Sequence, residues 1–165
     1  MRPFLVAGNW KMNGSRESAG RLAADILDGL ESTPGTGVLL CPPFVQLAEV
    51  GRLLKGSQVM LGAQNLCAED NGAYTGEVSG PMLRDFDCRY VIVGHSERRH
   101  LYNETDPVVV RKFMAAQRTG LIPILCVGET LAQREAGETH AVVGTQLKAI
   151  LEAAGPAALG NAVVA

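Results

Sequence analysis

Short apolar runs alternate with longer amphipathic segments along this chain. The apolar runs are nearly continuous, which is typical of strands that are buried on both faces of a parallel sheet. They occupy residues 4–7, 38–41, 59–61, 90–93, 122–127 and 162–165. The sequence therefore predicts six strands.

Helical patterns fill the segments between these strands. Ser15 suits the N-cap of a first helix, whose predicted apolar face consists of Leu22, Ile26, Leu27 and Leu30. A further helix is predicted to begin at Thr105 or Asp106 and to end at Gly120, and a longer one covers residues 139–154. A strand followed by a helix, five times over and ending on a sixth strand, predicts an α/β chain with a parallel sheet.

Two architectures fit this order of elements, an open doubly wound sheet and a closed (β/α)8 barrel. The first turn after a strand reads GNWKMNG and lacks the G-x-G-x-x-G pattern, so dinucleotide binding has little support. Both architectures place function at the carboxyl ends of the strands. Polar residues follow the predicted strands at those ends: Asn9, Lys11, Gln64, Asn65, His95 and Glu129.

Composition narrows the class of protein. The 165 residues are 47% hydrophobic and 19% charged, with a formal net charge of −2. These values predict one globular domain over residues 1–165 and give no support to a nucleic-acid or membrane partner. The four cysteines form no C-x-x-C pair, which predicts buried thiols in a reducing cytoplasm and no metal site.

His95 is the first candidate for chemistry. It follows the run VIVG directly and opens a predicted short helix, where the helix dipole disfavours the imidazolium. A neutral imidazole in that place can donate a hydrogen bond to a carbonyl oxygen and move a proton between adjacent oxygens. His100 and His140 lie in polar helical surroundings and are predicted to be surface residues.

Charged residues near the predicted strand ends allow more than one interpretation. Lys11 could hold a phosphate or a developing enolate, or it could be an ordinary exposed lysine. Glu97 could pair with a lysine across the carboxyl-end edge of the sheet, or it could face solvent. Arg98 and Glu104 are interpreted as a structural ion pair.

Five motifs resemble those of the triose-phosphate isomerase family. They are AGNWKMNG at 7–14, GAQN at 62–65, GAYTGEVS at 72–79, YVIVGHSERRH at 90–100 and CVGET at 126–130. Their order and spacing agree with that family over essentially the whole chain. Within this pattern Asp87 and Asn103 stand where the family often has glycine.

The resemblance implies a TIM barrel of which this chain supplies about six strands and five helical connections. It also implies a cytoplasmic homodimeric enzyme of glycolysis and gluconeogenesis that needs no cofactor and interconverts dihydroxyacetone phosphate and D-glyceraldehyde 3-phosphate through an enediol(ate). By resemblance Asn9 and Lys11 bind substrate, and Lys11 and His95 are catalytic, His95 being the neutral electrophile established for this family. Glu97 would lie near that lysine, and Cys126 behind the catalytic base.

The loop at residues 64–80 resembles the family's dimer loop. The resemblance implies that Tyr74 and Thr75 reach a second subunit near Met12. Two-fold dimers are the commonest soluble assembly.

In the family, the strand matching NAVVA at 161–165 runs on into the glutamate that serves as catalytic base. The lid, the phosphate loop and two further strands follow it. We therefore expect the 165 residues alone to be inactive. Two interpretations stay open: these residues are part of a triose-phosphate isomerase, or they are an inactive truncated fragment of one.

Overall fold

Six parallel strands form one curled sheet in the order β1-β2-β3-β4-β5-β6. The computed structural model describes residues 4–30 and 35–165. The strands are β1 (Phe4–Asn9), β2 (Thr36–Cys41), β3 (Val59–Ala63), β4 (Tyr90–Val93), β5 (Ile122–Leu125) and β6 (Val163–Val164). The predicted parallel sheet and its six strands are confirmed, as an incomplete (β/α)8 barrel.

The strand boundaries differ from the prediction in five strands: β2 begins two residues earlier than predicted, at Thr36, and β3 ends two residues later, at Ala63. β1 continues to Asn9 because Gly8 and Asn9 pair in register with Leu40 and Cys41 of β2, and this pairing outweighs their low strand propensity. β5 ends at Leu125 instead of residue 127, and β6 is shorter than predicted at both ends.

A helix lies in each of the five connections between strands, as predicted. The α-helices are α1 (Arg16–Gly29), α2 (Leu47–Leu54), α3 (Gly80–Asp85), α4 (Ser96–Leu101), α5 (Asp106–Arg118), α6 (Leu131–Glu135) and α7 (Thr139–Ala154), and 3-10 turns cover Phe44–Gln46 and Pro156–Asn161. In the described ranges no helix combines the length and the apolar character needed to cross a membrane.

The predicted N-cap of α1 is confirmed, whereas the predicted composition of its buried face is partly wrong. The Ser15 hydroxyl accepts from the backbone N–H of Ser18 at 3.2 Å and caps the helix. Leu22, however, is 45% exposed, whereas Ala19 and Ala23 are fully buried. Small side chains on the buried face let α1 lie close to its neighbours, and the leucine falls outside that contact.

Apolar side chains pack on both faces of the sheet. The larger layer lies between the strands and the helices and includes Val91, Val93 and Phe113. A smaller cluster contains Leu39, Cys41, Ile92 and Ile124. This double burial explains why the strands read as continuous apolar runs.

The two outer strands have one strand neighbour each in the described part of the chain. On β1, Phe4 is 76% exposed and Val6 is 62% exposed, while Val164 of β6 is also exposed. Apolar side chains are therefore exposed on both outer strands.

Within residues 4–30 and 35–165, three residues other than glycine adopt a left-handed backbone, and two of them are the departures noted from the family pattern. Asp87 has φ 60° and Asn103 has φ 55°. Asp and Asn tolerate this region better than other residues with a side chain, so they can stand where the family often has glycine. The third residue is Lys11, with φ 53°.

Candidate active site

The candidate site lies at the carboxyl ends of the strands. Lys11 follows β1, Gln64 follows β3, and His95 follows β4 as the N-cap of α4. In a parallel sheet these ends share one edge, so residues distant in sequence meet there. The structure brings Lys11, His95 and Glu97 together.

The backbone of Lys11 is held on both sides. Its N–H donates to Oδ1 of Asn9 at 3.0 Å, and its carbonyl accepts from Nε2 of Gln64 at 2.9 Å. The same amide nitrogen also donates to the carbonyl of Cys41 at 2.8 Å. Gln64 thus joins the ends of β1 and β2 and stabilises the left-handed turn at Lys11.

The side chain of Lys11 is directed toward Glu97. Its Nζ lies 2.8 Å from Oε1 of Glu97, and this hydrogen bond is the main cause of a lowered pKa for the Glu97 carboxyl. The two side chains are 50% and 45% exposed, so water screens the pair and its contribution to stability is small. The main effect of the pair is therefore to hold the Lys11 ammonium at the carboxyl ends of the strands.

His95 is held by the start of α4. The backbone N–H of Glu97 donates to Nδ1 of His95 at 3.3 Å. In a neutral imidazole one nitrogen accepts and the other donates, so this contact favours the tautomer that carries its proton on Nε2, while Oε2 of Glu97, 3.5 Å from Nδ1, favours the other. In the first tautomer the ring, which is 22% exposed, can donate a hydrogen bond to a ligand through Nε2.

Cys126 and Cys41 lie on the smaller apolar cluster. Burial raises the pKa of the Cys126 thiol, with Arg99 opposing the shift. Burial also raises the pKa of Cys41 to about 12. Both thiols are therefore protonated at neutral pH and pack as small apolar groups.

A second group of charged side chains surrounds the buried carboxylate of Glu104. Glu104 accepts hydrogen bonds from both Arg98 and Lys112, and Lys112 also donates to Oδ1 of Asn65 at 2.7 Å. Burial alone would raise the pKa of the Glu104 carboxyl, but the hydrogen bonds and charges of Lys112 and Arg98 together lower it.

The pair between Arg98 and Glu104 was predicted from the sequence and is confirmed. The second partner of Glu104, Lys112 of α5, was not predicted. The missed signal is the helical spacing of Val109, Lys112 and Phe113, all buried, which places the lysine on the apolar face.

The residues assigned to a dimer interface are exposed on this chain. Met12 is 93% exposed and Tyr74 is 48% exposed, and Thr75 is also exposed. Val45, which was not predicted to belong to an interface, is 91% exposed. Its neighbour Gln46 donates to the carbonyl of Gly14 at 2.7 Å, so the loops that carry Val45 and Met12 are adjacent.

Glu129 and the other two histidines have different surroundings from Lys11, His95 and Glu97. His100 and His140 are exposed, as predicted. Glu129 is bound by Nε of Arg134 at 2.7 Å and by the Thr139 hydroxyl at 3.1 Å, so its carboxylate fixes the loop after β5.

Comparison with known proteins gives consistent results. A family model described as triosephosphate isomerase matches residues 4–165. The chain is 54% identical over 165 residues to a triosephosphate isomerase of Dechloromonas aromatica and 56% identical over 168 residues to one of Thiobacillus denitrificans. Both alignments cover 100% of this chain but only 66% and 65% of those relatives. The chain thus spans slightly less than two thirds of their length.

Proposed function

Because the chain belongs to the triosephosphate isomerase family, we propose that the protein interconverts dihydroxyacetone phosphate and D-glyceraldehyde 3-phosphate. The observation that carries this proposal is the grouping of Lys11, Glu97 and His95 at the carboxyl end of the sheet. This grouping supplies a fixed cation beside a neutral hydrogen-bond donor. An enediolate needs both, since negative charge develops on its oxygens.

Lys11 supplies the cation in this proposal. Glu97 accepts from Nζ at 2.8 Å and so limits where the ammonium can lie. With the backbone fixed by Asn9 and Gln64, the lysine needs little reorganisation when substrate binds. We propose that Lys11 and Asn9 bind the triose phosphate and that Lys11 offsets the charge of the enediolate.

His95 supplies the hydrogen-bond donor. Its Nε2–H polarises the substrate carbonyl while a carboxylate base removes a proton from the neighbouring carbon. Nε2 then gives its proton to the oxygen that has become negative and takes one from the adjacent hydroxyl, so the ring is neutral again after each turnover. The bond from the Glu97 N–H to Nδ1 favours the tautomer that this exchange needs.

The carboxylate base is expected, from the family resemblance, beyond the sixth strand. We therefore propose that residues 1–165 contribute the electrophile and the lysine and do not turn over substrate by themselves. Cytoplasmic location, and a role in glycolysis and gluconeogenesis, are further parts of the proposal. The four free thiols support a reducing compartment.

A homodimer through the loop at residues 64–80 is also proposed. Exposed apolar side chains at Met12, Val45 and Tyr74 support it, because clustered apolar surface is typical of interfaces. The loop begins at Gln64, which contacts the carbonyl of Lys11. An interface at this loop would therefore border the candidate active site.

The decisive experiment is an isomerase assay on a protein in which residues 1–165 are continued by the segment that carries the carboxylate base, called the intact protein below, with His95→Gln and a matched control. His100→Gln changes an exposed histidine at the other end of α4 and should leave kcat unchanged. His95→Gln should depress kcat far more than it raises KM. An intact protein without isomerase activity would refute the proposed function, and an unchanged kcat in His95→Gln would refute only the role of His95.

A further inference from the structure

We propose that Arg99 is a positioning residue that fixes the backbone on both sides of His95, an inference that rests on the proposed function. The side chain of Arg99 binds the carbonyl before His95, and its backbone binds the carbonyl of His95 itself. Nε donates to the Gly94 carbonyl at 2.9 Å. The backbone N–H donates to the His95 carbonyl at 3.1 Å, which also accepts from the backbone N–H of Arg98 at 2.8 Å. One residue thus holds both peptides that flank the imidazole.

The Arg99 guanidinium lies at the end of the hydrogen-bonded pairing between β4 and β5. Pairing between β4 and β5 ends at Val93 and Leu125, and the last backbone bond runs from the Cys126 N–H to the Val93 carbonyl at 2.9 Å. Gly94 then turns into the left-handed region at φ 69°, and its carbonyl is bound by Nε of Arg99 instead of a strand.

Arg99 reaches the neighbouring strand as well. Its Nη2 lies 3.4 Å from the carbonyl of Cys126, the residue that follows β5. The planar guanidinium has donors in a fixed geometry and so contacts the ends of β4 and β5 together. This contact couples the position of His95 to β5 as well as to its own strand.

An ion pair holds the guanidinium in place. Nη1 lies 2.6 Å from Oδ1 of Asp106, and the Arg99 side chain is only 11% exposed. Asp106 is the first residue of α5, so its own backbone is fixed by a helix. A charge-assisted bond with little solvent exposure is strong and directional.

Gly94 shows how closely the guanidinium packs. A Cβ built on Gly94 would lie 3.1 Å from Nη2 of Arg99, so the arginine fits against a position without a side chain. Arg98, the preceding residue, instead binds the buried Glu104. The side chains of these two adjacent arginines therefore bind different partners, and Arg98 offers a matched control.

The test compares Arg99→Lys with Arg98→Lys in the intact protein. Lysine keeps the charge but cannot contact Gly94, Asp106 and Cys126 together. A misplaced His95 should lower kcat by up to about 100-fold with KM little changed. Arg98→Lys should lower the melting temperature and leave kcat of the folded protein near the parental value.

Two further measurements separate positioning from mere stability. In Arg99→Ala, added guanidinium ion should restore part of kcat. In ¹⁵N NMR spectra, the His95 ring signals should shift or broaden in Arg99→Lys and stay unchanged in Arg98→Lys. Unmoved His95 signals, or equal losses of kcat in both lysine variants, would overturn the inference. If the parental protein lacks isomerase activity the proposed function fails, and the NMR comparison still decides the role of Arg99.

Discussion

Nζ of Lys11 and Oε1 of Glu97 lie 2.8 Å apart although 86 positions separate the two residues along the chain. The same Glu97 donates its backbone N–H to Nδ1 of His95. One residue therefore contacts the cation with its side chain and the imidazole with both its main chain and its side chain, since Oε2 lies 3.5 Å from Nδ1 of His95. Changes to the Glu97 side chain leave the backbone donor in place and test the contribution of the carboxylate charge.

Glu97→Gln should lower isomerase activity without changing the melting temperature. The amide oxygen can still accept from Lys11, but the negative charge that holds the ammonium is lost. Because a misplaced catalytic group can lower the rate by about 100-fold, we expect kcat of the intact protein to fall by up to that factor. Glu17→Gln removes a carboxylate from an exposed pair with Arg21 at 3.6 Å and is the control. An equal kcat in both variants would contradict the role of the Glu97 charge.

Glu104→Gln should destabilise the protein by about 3–5 kcal/mol, the usual cost of breaking a buried ion pair on one side. Lys112 would stay buried with only neutral acceptors, the Asn65 amide and the new glutamine amide, and without a compensating negative charge. The measurement is urea unfolding near neutral pH. Glu152→Gln, in an exposed pair with Lys148, is the control and should change stability little.

The same carboxyl should give the protein an acid-sensitive stability. Because the pKa of Glu104 is lower in the folded protein than its ordinary value of 4.5, the unfolded chain binds more protons at acidic pH. Its contribution is complete above that ordinary value and is lost as pH falls through the folded pKa. The slope of unfolding free energy against pH should be shallower in Glu104→Gln than in the parent below about pH 5. If the plots of unfolding free energy against pH were parallel for the two proteins, another group would cause the pH dependence in this range.

Thr75→Arg should convert the proposed dimer into monomers. Thr75 is exposed in the loop at residues 64–80, and a buried unpaired charge in an interface is strongly unfavourable. Sizing chromatography with light scattering measures the change directly. Thr145→Arg, at an exposed position of α7, should keep the parental mass. A dimer that survives Thr75→Arg would place the interface elsewhere.

The sheet and most of the site positions were predictable because they follow from local patterns. Continuous apolar runs marked the strands, and polar residues after them marked Lys11 and His95. The partner of Lys11 was not predictable from the residues alone, since Glu97 could equally have faced solvent. Lys112 was missed because a lone lysine inside a helix normally faces water. Arg99 was missed because two of its acceptors, at Gly94 and Cys126, are backbone carbonyls, which have no signature in sequence.

Gly94→Ala should destabilise the protein more than Gly120→Ala, although both glycines are left-handed, with φ 69° and 78°. Both substitutions incur backbone strain of about 1–3 kcal/mol. Only at Gly94 would the new Cβ also meet a neighbour, lying 2.8 Å from Cγ1 of Val109, whereas the space at Gly120 is open. Overpacking of this kind typically adds about 1–3 kcal/mol.

Denaturant unfolding of both variants measures the difference. Since the Gly94 carbonyl also binds Arg99, kcat of the folded Gly94→Ala protein should fall as well, while Gly120→Ala should keep the parental kcat. Equal stability losses would show that Val109 can move aside and that backbone strain alone explains the glycine. A parental kcat in Gly94→Ala would show that the backbone before His95 tolerates displacement without loss of the chemistry.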